Sequence, residues 1–248
     1  MFITELIFVF LIGISLGSFA NVLIYRLPRG ESIVLPSSHC PTCQTPIKPY
    51  HNIPVLSWFF LRGKCANCEA KISKRYPIVE ILGGIISMAV YLKIGLSIET
   101  FLVSLIFILL MALSFIDFDH RAVPDNLNLT VLTLAMINEV DIHSFFMNIE
   151  NALIFAGGFA LLRFYVSYFV KREAMGEGDI IVAGTLGAIL GVYVGVFAVF
   201  VSALISIIAF MFYKDRELPF VPFLSLAIFL VWVFEQESIY FLNLILRG

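Results

Sequence analysis

The chain has 248 residues, of which 60% are hydrophobic and 14% charged, with a mean hydropathy of +0.97. An ordinary soluble domain carries about 25% charged residues, so this balance excludes one and points to an integral membrane protein. The continuous apolar runs at 101–115 and 194–212 also exclude a membrane β-barrel, whose strands alternate apolar and polar positions. The formal net charge of −2 hides a strong local asymmetry, and no nucleic-acid partner is expected.

Apolar runs of about 17 to 25 residues can each cross a bilayer as a helix. The expected fold is therefore an all-α polytopic membrane protein of about eight transmembrane helices, over residues 3–24, 78–92, 100–116, 124–138, 150–170, 179–192, 195–213 and 218–234. Three regions follow: a first transmembrane helix in 1–25, a polar loop domain in 26–77 and a membrane core in 78–248. The first apolar run is not a secretory signal peptide, because its basic residues Arg26 and Arg29 follow the run and do not precede it. It is read as a retained helix whose N-terminus lies outside the cytoplasm.

Eight of the sixteen Lys and Arg residues fall in the loop domain, opposed there only by Glu31 and Glu69. The excess of basic residues in a loop marks it as cytoplasmic. Counting eight spans places Arg121, Lys171, Arg172, Lys214 and Arg216 on the same side, and the stretch 139–150, without Lys or Arg, on the other.

All four cysteines of the chain lie in this loop, as Cys40-Pro41-Thr42-Cys43 and Cys65-Ala66-Asn67-Cys68, with 21 residues between the pairs. Two Cys-x-x-Cys knuckles can turn four thiolates towards one point, the ligand set of a structural zinc. The cytoplasm is reducing, which disfavours two disulfides, and no βαβ pattern surrounds either pair to suggest a redox motif. His39 or His51 could replace one thiolate in a Cys₃His site. A four-coordinate zinc has no open position and organises its loop without taking part in catalysis. Trp58, among Leu56, Phe59, Phe60 and Leu61, either caps the small core of the loop or rests at the lipid interface.

Two aspartates stand at the ends of apolar segments: Asp117 in Phe115-Ile116-Asp117-Phe118-Asp119, and Asp179 closing Gly176-Glu177-Gly178-Asp179. A carboxylate beside hydrocarbon is costly, and the span count brings both to the cytoplasmic membrane face. Two carboxyls held close in low dielectric cannot both ionise, so one serves as acid and the other as base, the arrangement aspartic proteases use. In a continuing helix Asp117 and Asp119 diverge by about 200°, so only one can face a partner. Asp117 is chosen because it directly follows the long apolar run, while Asp119 lies beside His120 and Arg121. Pro124 suits the first turn of the next helix, with Asp125 and Asn126 as capping residues. Gly176 and Gly178 permit a tight turn into a helix, and the bland reading of Asp179 is a helix N-cap.

These motifs, taken in order along the chain, resemble those of the bacterial type IV prepilin peptidases, integral-membrane aspartic proteases that also act as N-methyltransferases. The likeness is carried by Gly17-Ser18-Phe19-Ala20-Asn21-Val22, Tyr25-Arg26-Leu27-Pro28, both cysteine pairs, Asn52-Ile53-Pro54, Leu56-Ser57-Trp58 and Leu61-Arg62-Gly63-Lys64-Cys65. Downstream it continues through Arg75-Tyr76-Pro77, Glu80, Ile116-Asp117, Val123-Pro124-Asp125 and Ala174-Met175-Gly176-Glu177-Gly178-Asp179.

The resemblance implies that Asp117 and Asp179 cut prepilins or pseudopilins after a Gly at the cytoplasmic face of the bacterial inner membrane. It further implies methylation of the new N-terminal residue from S-adenosylmethionine, with Gly63, Lys64 and Glu80 carried over to that step by motif position alone. Many members carry Lys two positions after the second aspartate. Here that position is Ile181, which removes a cation from beside the dyad and bears on pH optimum more than on reaction type. Two readings rival it: a peptidase without methyltransferase activity, and a non-enzymatic membrane scaffold of a pilus or secretion machine whose zinc loop docks a partner and whose aspartates cap helices or relay protons.

Overall fold

The computed structural model describes residues 2–139, 141–173, 175–212 and 218–247. Lys214 and Arg216, counted above on the cytoplasmic side, and Ala174 of the second aspartate motif lie outside them. Among the described residues the secondary structure is helical, with isolated bridges at His39 with Pro46 and Lys64 with Lys71. The chain divides into two units, one up to Ile108 and one from Leu109 onward.

In the first unit α1 (Phe2–Arg26) and α3 (Arg75–Ile94) form an antiparallel pair. Small residues make this contact possible. A methyl added at Gly17 would lie 2.8 Å from the Cα of Glu80, and one at Gly13 would lie 2.8 Å from the Cα of Gly84, so the backbones approach as only small residues allow. The Asn21 amide donates to the Tyr76 carbonyl at 3.0 Å near one end of the pair, and the Tyr91 hydroxyl donates to the Glu5 carboxylate at 2.7 Å near the other. Buried Asn21 and Tyr91 thereby find partners, as a low-dielectric setting favours.

The loop domain between them contains one short α-helix, α2 (Leu56–Phe60), and two 3₁₀ turns, Leu27–Arg29 and Pro49–His51. Its entry is held by Arg26, whose guanidinium donates to the carbonyls of Ser32 and Pro36 at 2.8 and 2.7 Å. Trp58 caps the loop's small core: its indole N–H donates to the Ile72 carbonyl at 3.3 Å and its ring covers Gly63.

α4 (Ile98–His120) leads into the second unit, where Ala112, Leu113 and Ile116 are fully buried. There follow α5 (Asp125–Met136), α6 (Ile142–Val170), α7 (Glu177–Phe212), α8 (Val221–Val233) and α9 (Glu235–Arg247). Asn128 of α5 meets Gly178 at the start of α7, and Leu132 meets Gly184. Contact order rises along both helices together, so α5 and α7 run parallel, with α6 returning between them.

The expected eight spans are corrected by this architecture. Among the described residues five helices are long and apolar enough to cross a membrane, or six if α8 and α9, bent by 93°, count as one broken span. The segments 179–192 and 195–213 are joined in α7, which breaks helical geometry at Gly191 (φ 66, ψ 177). α5 and α8 have 12 and 13 residues, about 18 to 20 Å, against roughly 30 Å of hydrocarbon. A short α5 nevertheless leaves from the same end at which α7 begins, and α6 brings the chain back there. The amphipathic α9 was not among the expected helices, because it lies beyond the last strongly apolar run.

Candidate active site

The second unit assembles a site from three helix ends. Asp117 lies in the last turn of α4, at 6% exposure, and its Oδ2 accepts the backbone N–H of Val221 at 3.3 Å. Val221 opens α8, so the positive end of that helix points at the carboxyl. Asp179 is the third residue of α7, and its Oδ2 accepts the Gly176 N–H at 3.0 Å. This is the back-reaching half of a capping box and not the N-cap itself. Each carboxyl is thus oriented through one oxygen by a backbone N–H. Gly178, beside Asp179, packs against Val123, six residues beyond Asp117, so the two carboxyl-bearing helix ends are neighbours.

Asp119, two residues on in the continuing helix, is exposed. The divergence expected from helical geometry is therefore present, with Asp117 buried and Asp119 facing outward. Asp125 and Asn126 are exposed, and Pro124 precedes α5 instead of starting it; the Asn126 side chain accepts the Leu127 N–H at 2.8 Å.

The glycine turn has specific neighbours. A methyl at Gly178 would lie 2.7 Å from Cβ of Val123, so the turn can close on the Val123-Pro124 corner only without a side chain. Glu177, between the glycines, pairs with Arg163 of α6 at 3.2 Å, and Glu173 approaches the same guanidinium at 3.6 Å. Both glutamates are mostly exposed, so these pairs steer the turn more than they stabilise it.

Sequence reasoning missed Asn128. It is fully buried, and its amide donates to the Gly178 carbonyl at 2.9 Å. The bond ties α5 directly to the turn that presents Asp179. An asparagine in the first turn of a predicted helix reads as capping chemistry, and nothing local reveals that its partner lies 50 residues away.

In the first unit the four cysteines converge. Their sulfurs all lie within 4.8 Å of one another, and Cys40 and Cys68 are 3.8 Å apart. A tetrahedron with metal–sulfur bonds of about 2.3 Å has edges of about 3.8 Å, so the spacing fits zinc. Among the described residues neither histidine joins the group, so the Cys₃His alternative is not realised.

The knuckles are built alike: Cys40 N–H donates to Thr45 O and Gln44 N–H to Cys40 O, while Cys65 N–H donates to Ala70 O and Glu69 N–H to Cys65 O. Gln44 and Glu69, each following a second cysteine, share positive φ at 55 and 56°. The Thr45 hydroxyl and backbone, with the Asn67 amide, draw the Cys43 thiol down to about 6. Against a lowering backbone contact at Ala70, desolvation and the neighbouring sulfurs push Cys68 up to about 12. Four sulfurs this close resist full ionisation without a cation among them, and a divalent ion would relieve that repulsion.

The residues carried over to methyl transfer have other engagements. Gly63 has φ +66 and sits under the Trp58 ring, 2.8 Å from an added methyl to Cζ2. The Glu80 carboxylate accepts the Val55 N–H at 2.6 Å. Lys64 is exposed and pairs with Glu69 at 3.9 Å.

Comparison with known proteins accounts for nearly the whole chain. Residues 11–94 match the Bacterial Peptidase A24 N-terminal domain and residues 104–211 the Type IV leader peptidase family. The chain is 32% identical over 247 residues to the prepilin leader peptidase/N-methyltransferase of Neisseria gonorrhoeae, covering 87% of this chain and 86% of that one. It is 33% identical over 263 residues to the protein of the same name from Aeromonas hydrophila, covering 90% and 89%. A type 4 prepilin-like proteins leader peptide-processing enzyme of Escherichia coli O78:H11 is 35% identical over 246 residues, with 87% and 88% covered. No solved structure matches the chain significantly.

Proposed function

The chain belongs to the type IV leader peptidase family, and from that membership we propose that it is a membrane aspartic endopeptidase whose dyad is Asp117 and Asp179. Its substrates are prepilins or pseudopilins, cut after Gly at the cytoplasmic face of the inner membrane. The observation that carries the proposal is that two carboxyls, 62 positions apart in the chain, are held at helix ends that meet where Gly178 packs against Val123, six residues beyond Asp117.

With one carboxyl ionised and one protonated, the ionised group takes a proton from water as the water oxygen attacks the scissile carbonyl, while the protonated group donates to the carbonyl oxygen. Collapse of the tetrahedral species breaks the C–N bond, and the amine leaves with a proton from the dyad. No metal is needed for this step. The four cysteines hold a structural zinc, whose coordination is complete without water.

The names of the relatives support a second activity, N-methylation of the newly exposed terminus with S-adenosylmethionine as methyl donor. Gly63 and Glu80 shape the loop itself, and Lys64 is the one carried-over side chain that stands exposed. Co-expression with a prepilin, followed by mass spectrometry of the product, reports the cleavage position and the added methyl together. Leader loss after Gly with a gain of one methyl is expected. Lys64→Ala is expected to lower methylation while sparing cleavage; wild-type methylation by this variant removes Lys64 from that step. An uncut prepilin overturns the peptidase reading.

Asn128→Ala leaves the Gly178 carbonyl without its buried donor, a loss of about 1 to 3 kcal/mol. If the whole penalty falls on dyad geometry, leader cleavage slows by about 5- to 150-fold. Cleavage rates of purified Asn128→Ala protein test this, and an unchanged rate releases Asn128 from the site.

A further inference from the structure

The loop domain carries an apolar face that its own core does not use. On α2, Ser57 and Trp58 turn inward, where Ser57 donates to the Tyr50 carbonyl and Trp58 covers Gly63. Leu56, Phe59 and Phe60 turn outward with 54%, 61% and 82% exposure, joined by exposed Ile53. A cluster of large apolar side chains facing outward marks an interaction surface.

The turn that leads into α2 fixes the level at which this face sits. Val55 has φ 63 and ψ −55, and the Leu56 N–H donates back to the Pro54 carbonyl at 2.6 Å. This is a tight three-residue turn in a conformation that costs a β-branched residue about 1 to 3 kcal/mol. Its N–H is bound by the Glu80 carboxylate at 2.6 Å. Glu80 lies five residues after the basic start of α3, or about 8 Å along that helix. The helix is long and apolar enough to span a membrane. The start of α2 is therefore tied one to two helical turns below the level where charged residues bound this span.

We propose that residues 53–60 form a wedge seated in the phospholipid surface beside α1 and α3. The chemistry of the surroundings favours lipid as the occupant. Arg29, Lys48, Arg62, Lys71 and Lys74 are exposed on the same loop, and a loop that carries both exposed basic residues and an apolar face is suited to the headgroup layer of an anionic membrane. The strained turn at Val55 is then the device that aims α2 sideways into that layer, with Glu80 as its latch.

The test places the photoreactive analogue p-benzoylphenylalanine singly at Phe60, at Glu69 and at Ile85, in full-length protein in vesicles of phosphatidylethanolamine and phosphatidylglycerol. Phe60 is the most exposed of the wedge residues and tolerates the bulk; Glu69 is exposed elsewhere on the loop, and Ile85 faces outward from α3. After illumination, intact-mass analysis is expected to show the mass of one phospholipid added at positions 60 and 85 and none at 69. A lipid adduct at 85 but not at 60 overturns the wedge. An adduct at 60 to another copy of the chain, or to a co-reconstituted pilin peptide in place of lipid, assigns the face to that partner and equally overturns it. Absence of lipid at 85 removes α3 from the membrane, and the wedge with it. None of these outcomes depends on peptidase activity.

Discussion

Asp117→Asn and Asp179→Asn, made singly, are each expected to abolish leader removal while the protein still inserts and accumulates. Amide for carboxyl keeps the size and the hydrogen bonds accepted from Val221 and Gly176, so the fold loses little. What disappears is the proton traffic. A dyad needs one group to take a proton from water and another to give one, and removing either acid or base function costs about 10²- to 10⁴-fold on its own. Two singly substituted enzymes with the same near-complete loss identify a pair acting as a unit, whereas a scaffold tolerates both changes. Asp119→Asn is the control. Its side chain is exposed on a helix whose other face buries Asp117, and processing is expected to persist. Normal processing by either dyad variant, measured as the ratio of mature to precursor pilin, sinks the assignment.

Why the pair was visible from sequence, and much of its setting was not, has a physical explanation. Charge beside a long apolar run is legible because hydrocarbon penalises it; that logic singled out Asp117 and Asp179. The knuckles were legible because Cys-x-x-Cys is a local turn whose geometry hardly depends on distant residues. Asn128 and Glu80 were different: their meaning lies in partners 50 and 25 positions away, Gly178 and Val55. Glu80 is carried over to methyl transfer by motif position alone, and motif position does not disclose that its carboxylate accepts the N–H of the strained turn at Val55. The span count failed for a related reason. Hydropathy measures how well a segment tolerates lipid, and says nothing about whether a 12-residue α5 is long enough or whether an apolar run continues through Gly191. Packing of α5 and α7 side by side resolves what hydropathy cannot, since it places the ends carrying the two aspartates together despite the short helix between.

The second large effect is expected from the cysteines. Protein purified under reducing conditions is predicted to contain about one zinc per chain, and Cys65→Ser to lose it. Apart from the metal, the loop is held by hydrogen-bonded turns, a five-residue helix, two isolated bridges, the Arg26 and Glu80 side chains and the Trp58 ring over Gly63. A structural zinc contributes about 10 to 16 kcal/mol of apparent binding energy in small domains, far above what these contacts supply. Cys65→Ser is therefore expected to open the loop to protease between the two spans that flank it, while α1 and α3 remain paired through Gly13, Gly17 and the Asn21–Tyr76 bond. Limited proteolysis with fragment mass analysis reads this directly: cuts confined to 26–77 are expected in the variant and absent from wild type. A variant that keeps full zinc content places the metal elsewhere, and wild-type protein that is metal-free, folded and protease-resistant refutes the zinc site altogether. Leader removal and methylation separate the loop's two possible roles. If the zinc domain serves the methyl-transfer step, Cys65→Ser loses methylation before it loses cleavage, because the proposed dyad resides in the second unit and accepts its backbone hydrogen bonds from Gly176 and Val221 of that unit.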